Sequence, residues 1–150
     1  MTIKKKIAAI AAAAAMALSM TAISASATYD CTLDHLNDVH ELNGNTVFGV
    51  VAGGERGANV YGVLVDKNLF SATYYAGTAS YIRTTLEIVK YPTGGTLDTF
   101  EDIQRNTTSV PSIAKTGTNG SYGSVTLFSS HEVRADGKTW GEYTAVKGVE

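Results

Sequence analysis

Residues 80–91, SYIRTTLEIVKY, alternate between two kinds of side chain along their whole length, and this constrains the fold more than any other feature. Ile82, Thr84, Leu86 and Ile88 fall on one side, whereas Tyr81, Arg83, Thr85, Glu87, Val89 and Tyr91 fall on the other. A period of two belongs to a β-strand that turns one face to a core. Pro92 and Gly94-Gly95 end the run.

The flanking sequence has the same character. TVFGVVAG and NVYGVLVD are rich in β-branched and aromatic residues and are joined by GGERG, so they read as an antiparallel pair. LFSATYYA follows the polar DKN turn, and weaker strand signals lie at 96–104 and 108–115. Asn119-Gly120 precedes YGSVTLFSSHEVR, and Asp136-Gly137 precedes TWGEYTAV. About seven short strands, two prolines and 15 glycines predict an all-β domain over 45–150. The expected architecture is a single antiparallel β-sandwich or small barrel.

Two different segments are expected before that domain. Lys4, Lys5 and Lys6, the apolar run Ile7 to Leu18 and the small residues Ala25-Ser26-Ala27 form the pattern of a secretory signal peptide over 1–27, cleaved after Ala27. The pattern looks bacterial, and the apolar run is short for a permanent membrane anchor. No later run has membrane length, and Thr28-Tyr29-Asp30 is a poor lipoprotein signal before Cys31. The expected product is a secreted, extracellular protein without a stable membrane anchor.

Residues 28–44 then read as an acidic helical leader. Leu33, Leu36, Val39 or His40, and Leu42 share a stripe, Thr32 can cap the start, and Asn43-Gly44 can stop the end. So short a helix is marginal alone in water, so it must dock on the rest or remain partly ordered. Asp34, Asp38 and Glu41, with His35 nearby, read as a solvated face rather than a metal site.

Charge and cysteine content narrow the partners. The whole chain carries a net charge of −2, and loss of three signal lysines makes the remainder more acidic, which disfavours nucleic acid as a partner. The single cysteine, Cys31, cannot form an internal disulfide; it can link two chains into a dimer, bind a metal or stay reduced. No cofactor motif is present: the glycines of GVVAGGERG precede a strand rather than a helix, and no G-x-S-x-G elbow occurs.

The stretch HEVRADGKTW, 131–140, crowds His131, Glu132 and Arg134 together. If Asp136-Gly137 is a two-residue turn, Ala135 faces Lys138, and the ladder follows: Val133 opposes Trp140, His131 opposes Glu142 and Ser129 opposes Thr144. Glu132 and Arg134 then point to the other side of the sheet. His131 and Glu142 could orient a general acid or base, or form an ordinary cross-strand contact. A small secreted hydrolase using that pair is the enzyme alternative. The main expectation is an extracellular binding module, including a bacteriocin-like effector, that meets an extracellular protein or glycan through Tyr81, Arg83, Tyr91 and Trp140.

Overall fold

The computed structural model describes residues 39–54, 56–117 and 122–149. These residues are all-β and contain ten strands and no helix. The strands are β1 (His40–Leu42), β2 (Asn45–Gly53), β3 (Asn59–Val60), β4 (Val63–Leu64), β5 (Leu69–Tyr75), β6 (Thr78–Lys90), β7 (Thr96–Thr108), β8 (Ser112–Lys115), β9 (Val125–Ala135) and β10 (Lys138–Val149). One antiparallel sheet runs β1-β2-β5-β8, a second runs β10-β9-β6-β7, and β3 pairs only with β4.

The two four-stranded sheets face one another across a shared interior. One apolar cluster joins Leu42, Val47 and Tyr75 of the first sheet to Ile82, Val133 and Ala135 of the second. A second cluster joins Val51 and Ala114 to Leu86, Ile88, Val125 and Leu127. The β3–β4 hairpin adds a third layer on the outside of the first sheet, where Val65, Phe70 and Ala72 are buried with Val50, Val60 and Ile113 against them.

Local chemistry accounts for the hairpins. Asp136 and Gly137 both have positive φ, 47° and 74°, which gives the type I′ geometry that matches strand twist. The β9–β10 ladder is therefore in the expected register, with Val133 opposite Trp140 and His131 opposite Glu142. It slips only beyond Val146, at an irregularity before Val149. Strand β6 likewise sends Ile82, Leu86 and Ile88 into the core, as its alternation requires.

Several expectations for the N-terminal half need correction. The signal peptide over 1–27 and most of the 28–44 leader lie outside the described residues. The expected helix cannot extend through 40–42, because His40–Leu42 is strand β1. Asn43 and Gly44, with φ of 52° and 74°, are the tight turn between β1 and β2 rather than a helix stop. Asn-Gly satisfies either role, and the pairing of Leu42 with Asn45 decides it. The segments 45–53 and 59–66 do not pair with each other: β2 pairs with β5, while Tyr61-Gly62 folds 59–64 back on itself.

Candidate functional site

His131 lies on the inner face of β9, between the sheets, with 0% of its surface exposed. Its Nδ1 is 2.8 Å from Thr73 Oγ1 on the opposite sheet, and its Nε2 is 2.8 Å from Thr144 Oγ1 on β10. Thr84 Oγ1 has two acceptors within reach of its single proton, Thr73 Oγ1 at 2.6 Å and the Ser112 carbonyl at 2.9 Å. Ser112 Oγ in turn donates to Asp102 Oδ2 at 2.9 Å. Beside this chain, Ser71 and Ser129 hydroxyls meet across the sheets. The result is a polar layer between the two apolar clusters.

Backbone space makes the layer possible. The ring of His131 packs over Gly49 of β2, where a Cβ would stand only 2.3 Å from two ring carbons and 2.5 Å from Nδ1. Glycine in a strand interior often marks such a close approach. One tautomer satisfies every hydroxyl. Nδ1–H donates to Thr73, Thr73 donates to the Arg83 carbonyl at 3.2 Å, and Thr144 donates to Nε2. A doubly protonated ring would force Thr144 to give up that acceptor. Burial also disfavours the charged ring, and the imidazole pKa falls from 6.5 to about 3.

The proposed acid–base pair is not assembled here. His131 and Glu142 are ladder partners, but the imidazole reaches diagonally to Thr144. Glu142 instead meets His40, whose Nε2 lies 3.0 Å from Glu142 Oε2. A fully buried, neutral ring bonded to two hydroxyls has no access to a substrate, so this geometry does not support general acid–base chemistry at His131.

The expected binding residues separate into three environments. Tyr81 and Arg83 do point to the outward side of β6, yet only 3% and 5% of their surfaces remain exposed. The Tyr81 ring is held between two guanidinium groups, with Arg134 Cζ 4.6 Å and Arg105 Cζ 5.1 Å from its centroid. Arg83 Nε pairs with Glu101 at 2.6 Å and Arg134 Nε with Glu132 at 2.5 Å. Tyr91 lies just beyond β6 and is exposed. Trp140 is half-buried against the first core cluster, beside the His40 ring at 6.2 Å. These residues therefore do not form one open surface: alternation identified the side of the strand, but not whether that side was covered.

An exposed aromatic group occurs elsewhere. Phe48 on β2 and Tyr74 on β5 are ladder partners on the outer face of the first sheet, with ring centroids 5.5 Å apart. Tyr61, at the tip of the β3–β4 hairpin, stacks on Tyr74 at 4.4 Å with an interplanar angle of 6°, and stands 6.0 Å from Phe48. Tyr61 keeps 53% of its surface exposed and the nearby strand residue Leu64 keeps 54%. Burial of the Tyr61 phenol against Tyr74 raises its pKa above the ordinary value.

The hairpin is well anchored. Val65 N–H donates to the Ala58 carbonyl at 3.0 Å, Gly62 N–H donates to Asn59 Oδ1 at 2.7 Å, and Lys115 Nζ donates to the Leu64 carbonyl at 2.6 Å. Tyr61 itself has φ of 47°, an uncommon conformation for a bulky residue. The sequence signal was the Tyr-Gly pair in NVYGVL: two residues between short β-branched runs, read as part of a longer strand instead of as a turn.

Among the described residues, no three His, Cys, Asp or Glu side chains gather in a way that could hold a metal ion. No protein-family model matches the chain, and no curated protein or solved structure shows significant similarity to it.

Proposed function

We propose that this chain is an exported β-sandwich binding module, released by cleavage after Ala27, which contacts an extracellular glycan through Phe48, Tyr61, Tyr74 and Leu64. The observation that carries the reading is the exposed Tyr61 ring, held in a fixed position by its stack on Tyr74 and by a bonded hairpin. Strained backbone at an exposed site is a reason to suspect function. Tyrosine rings offer an apolar face with a polar tip, which suits the alternating C–H and O–H surface of a sugar.

A glycan is favoured over a protein partner because the group is compact, with three rings within 6.0 Å of one another. Stable protein interfaces bury roughly 800 Å² on each partner, far more than a few rings supply. The test is co-sedimentation of the mature protein with insoluble bacterial cell-wall polysaccharide. Tyr61→Asn should reduce binding at least tenfold without loss of fold, since asparagine tolerates positive φ. Equal binding by the wild type and Tyr61→Asn excludes this surface. Binding to a secreted protein but to no polysaccharide assigns the module to the protein class instead.

A further inference from the structure

The outer face of the β1-β2-β5-β8 sheet is open in one direction only. The β3–β4 hairpin packs over Val50, Ala52, Phe70 and Ala72, which closes the sheet on that side. Phe48 and Tyr74 are the next ladder pair on the same face, and Tyr61 at the hairpin tip stacks over Tyr74. Beyond them only Thr46 remains before β2 begins at Asn45. A ligand seated on Tyr61 and Tyr74 therefore meets the hairpin one way along the strands and runs off the sheet the other way. It is free to extend across the strands.

Apolar residues continue in that direction. Val39 is one step on from the His40–Val47 pair, which sets it opposite Phe48, and 68% of its surface is exposed. On the other side, one step on from Thr73–Ser112, Pro111 stands opposite Tyr74, followed by Val110 with 46% exposed. The row Val39, Phe48, Tyr74, Pro111 spans three strand spacings, about 14 Å, a length that about three linked sugar rings fill. One charge borders the row. Glu41 is the ladder partner of Thr46, is exposed, and forms no ion pair among the described residues. It is the diagonal neighbour of Phe48, about 7–8 Å away between backbones and within reach of a long side chain. An unpaired carboxylate repels polymers of uronic acids or phosphates and attracts an ammonium group.

Resting on the glycan reading, we infer that the ligand is a linear amino-sugar polymer with free amines, bound by an internal stretch of about three rings that crosses the strands from Val39 to Pro111. One of its ammonium groups lies beside Glu41. Val39 thus extends the apolar floor on which Phe48 and Tyr74 stand, and Glu41 selects the charge of the sugar.

Calorimetry with linear glucosamine oligomers of increasing length, and with the same oligomers N-acetylated, tests this. Affinity should rise at least tenfold from monomer to trimer and change little beyond it. Val39→Ser should weaken trimer binding about fivefold; the side chain is exposed, so the fold tolerates the change. At low salt the wild type should prefer free amines to N-acetyl groups about threefold, and Glu41→Gln should remove that preference. Equal binding of monomer and trimer, or wild-type behaviour of either variant, overturns the inference and leaves the glycan reading standing. Binding to wall polysaccharide but to none of the oligomers does the same. Absence of binding to oligomers and wall polysaccharide alike removes both.

Discussion

Gly49 has no side chain where His131 has its ring: the strand of one sheet leaves open the volume that the imidazole of the other fills. Gly49→Ala places a methyl 2.3 Å from ring carbons, and the neighbouring backbone belongs to a central ladder that cannot easily retreat. Overpacking of this kind costs about 1–3 kcal/mol. Urea denaturation should show that loss. The double variant Gly49→Ala/His131→Ala should be less destabilised than the two single effects predict together, because the clash is removed. Additive losses would mean that ring and glycine do not compete for the same space.

The buried imidazole also sets a pH dependence. In the unfolded chain it takes up a proton near pH 6.5, whereas in the fold it does so only near 3. Between these values the unfolded state holds more protons, so stability rises with pH from about 3 to 6.5 and receives no further contribution from this group above that. The slope from His131 approaches about 1.4 kcal/mol per pH unit. Denaturation midpoints measured across pH 4–7 for the wild type and His131→Gln should diverge toward acid, with the wild type losing more. Parallel curves would sink the assignment.

At the hairpin tip, backbone and side chain can be tested separately. Tyr61→Gly removes a non-glycine residue from a left-handed conformation, whereas Tyr61→Ala keeps that strain and loses the same stack. Left-handed backbone costs an L-residue about 1–2 kcal/mol. The glycine variant should therefore melt above the alanine variant by calorimetry, while both lose the Tyr74 contact. The reverse order would show that the turn is not held in this conformation in solution.

Glu132 presents an asymmetric ion pair. Its carboxylate is buried, with Oε1 on Arg134 and Oε2 without a hydrogen-bond partner among the described residues, while Arg134 is partly in water. Arg134→Met leaves a buried charge uncompensated, whereas Arg134→Met combined with Glu132→Gln does not. The single variant should be the less stable of the two in urea denaturation at pH 7. If the double variant is the weaker one, Glu132 draws its support from elsewhere.

The last hairpin was readable from sequence because one dipeptide, Asp136-Gly137, determines every pair from Ala135–Lys138 to Leu127–Val146. The side of each residue on β6 followed from alternation for a similar reason: it is a local property of the pleat. Partners across the molecule were not readable in that way. His131 finds Thr73 58 positions away, on a strand of the other sheet, and chooses Thr144 over its ladder partner because an imidazole is long enough to reach diagonally. Asn43-Gly44 was ambiguous for want of context, since the same pair can end a helix or turn a hairpin. The Phe48–Tyr61–Tyr74 group needed three strands to be placed before its rings could be seen together.

The hydroxyl-and-imidazole layer between the apolar clusters acts as a lock on alignment. Greasy surfaces can slide over one another at little cost, but a shift of one sheet by a single residue would strand His131, Thr73, Thr84 and Thr144 without partners in a dry interior. The chain thereby excludes the near-native stackings that an all-aliphatic filling would tolerate. Evolution can also exchange methyl groups above and below the layer as two separate neighbourhoods, provided the lock between them is left intact.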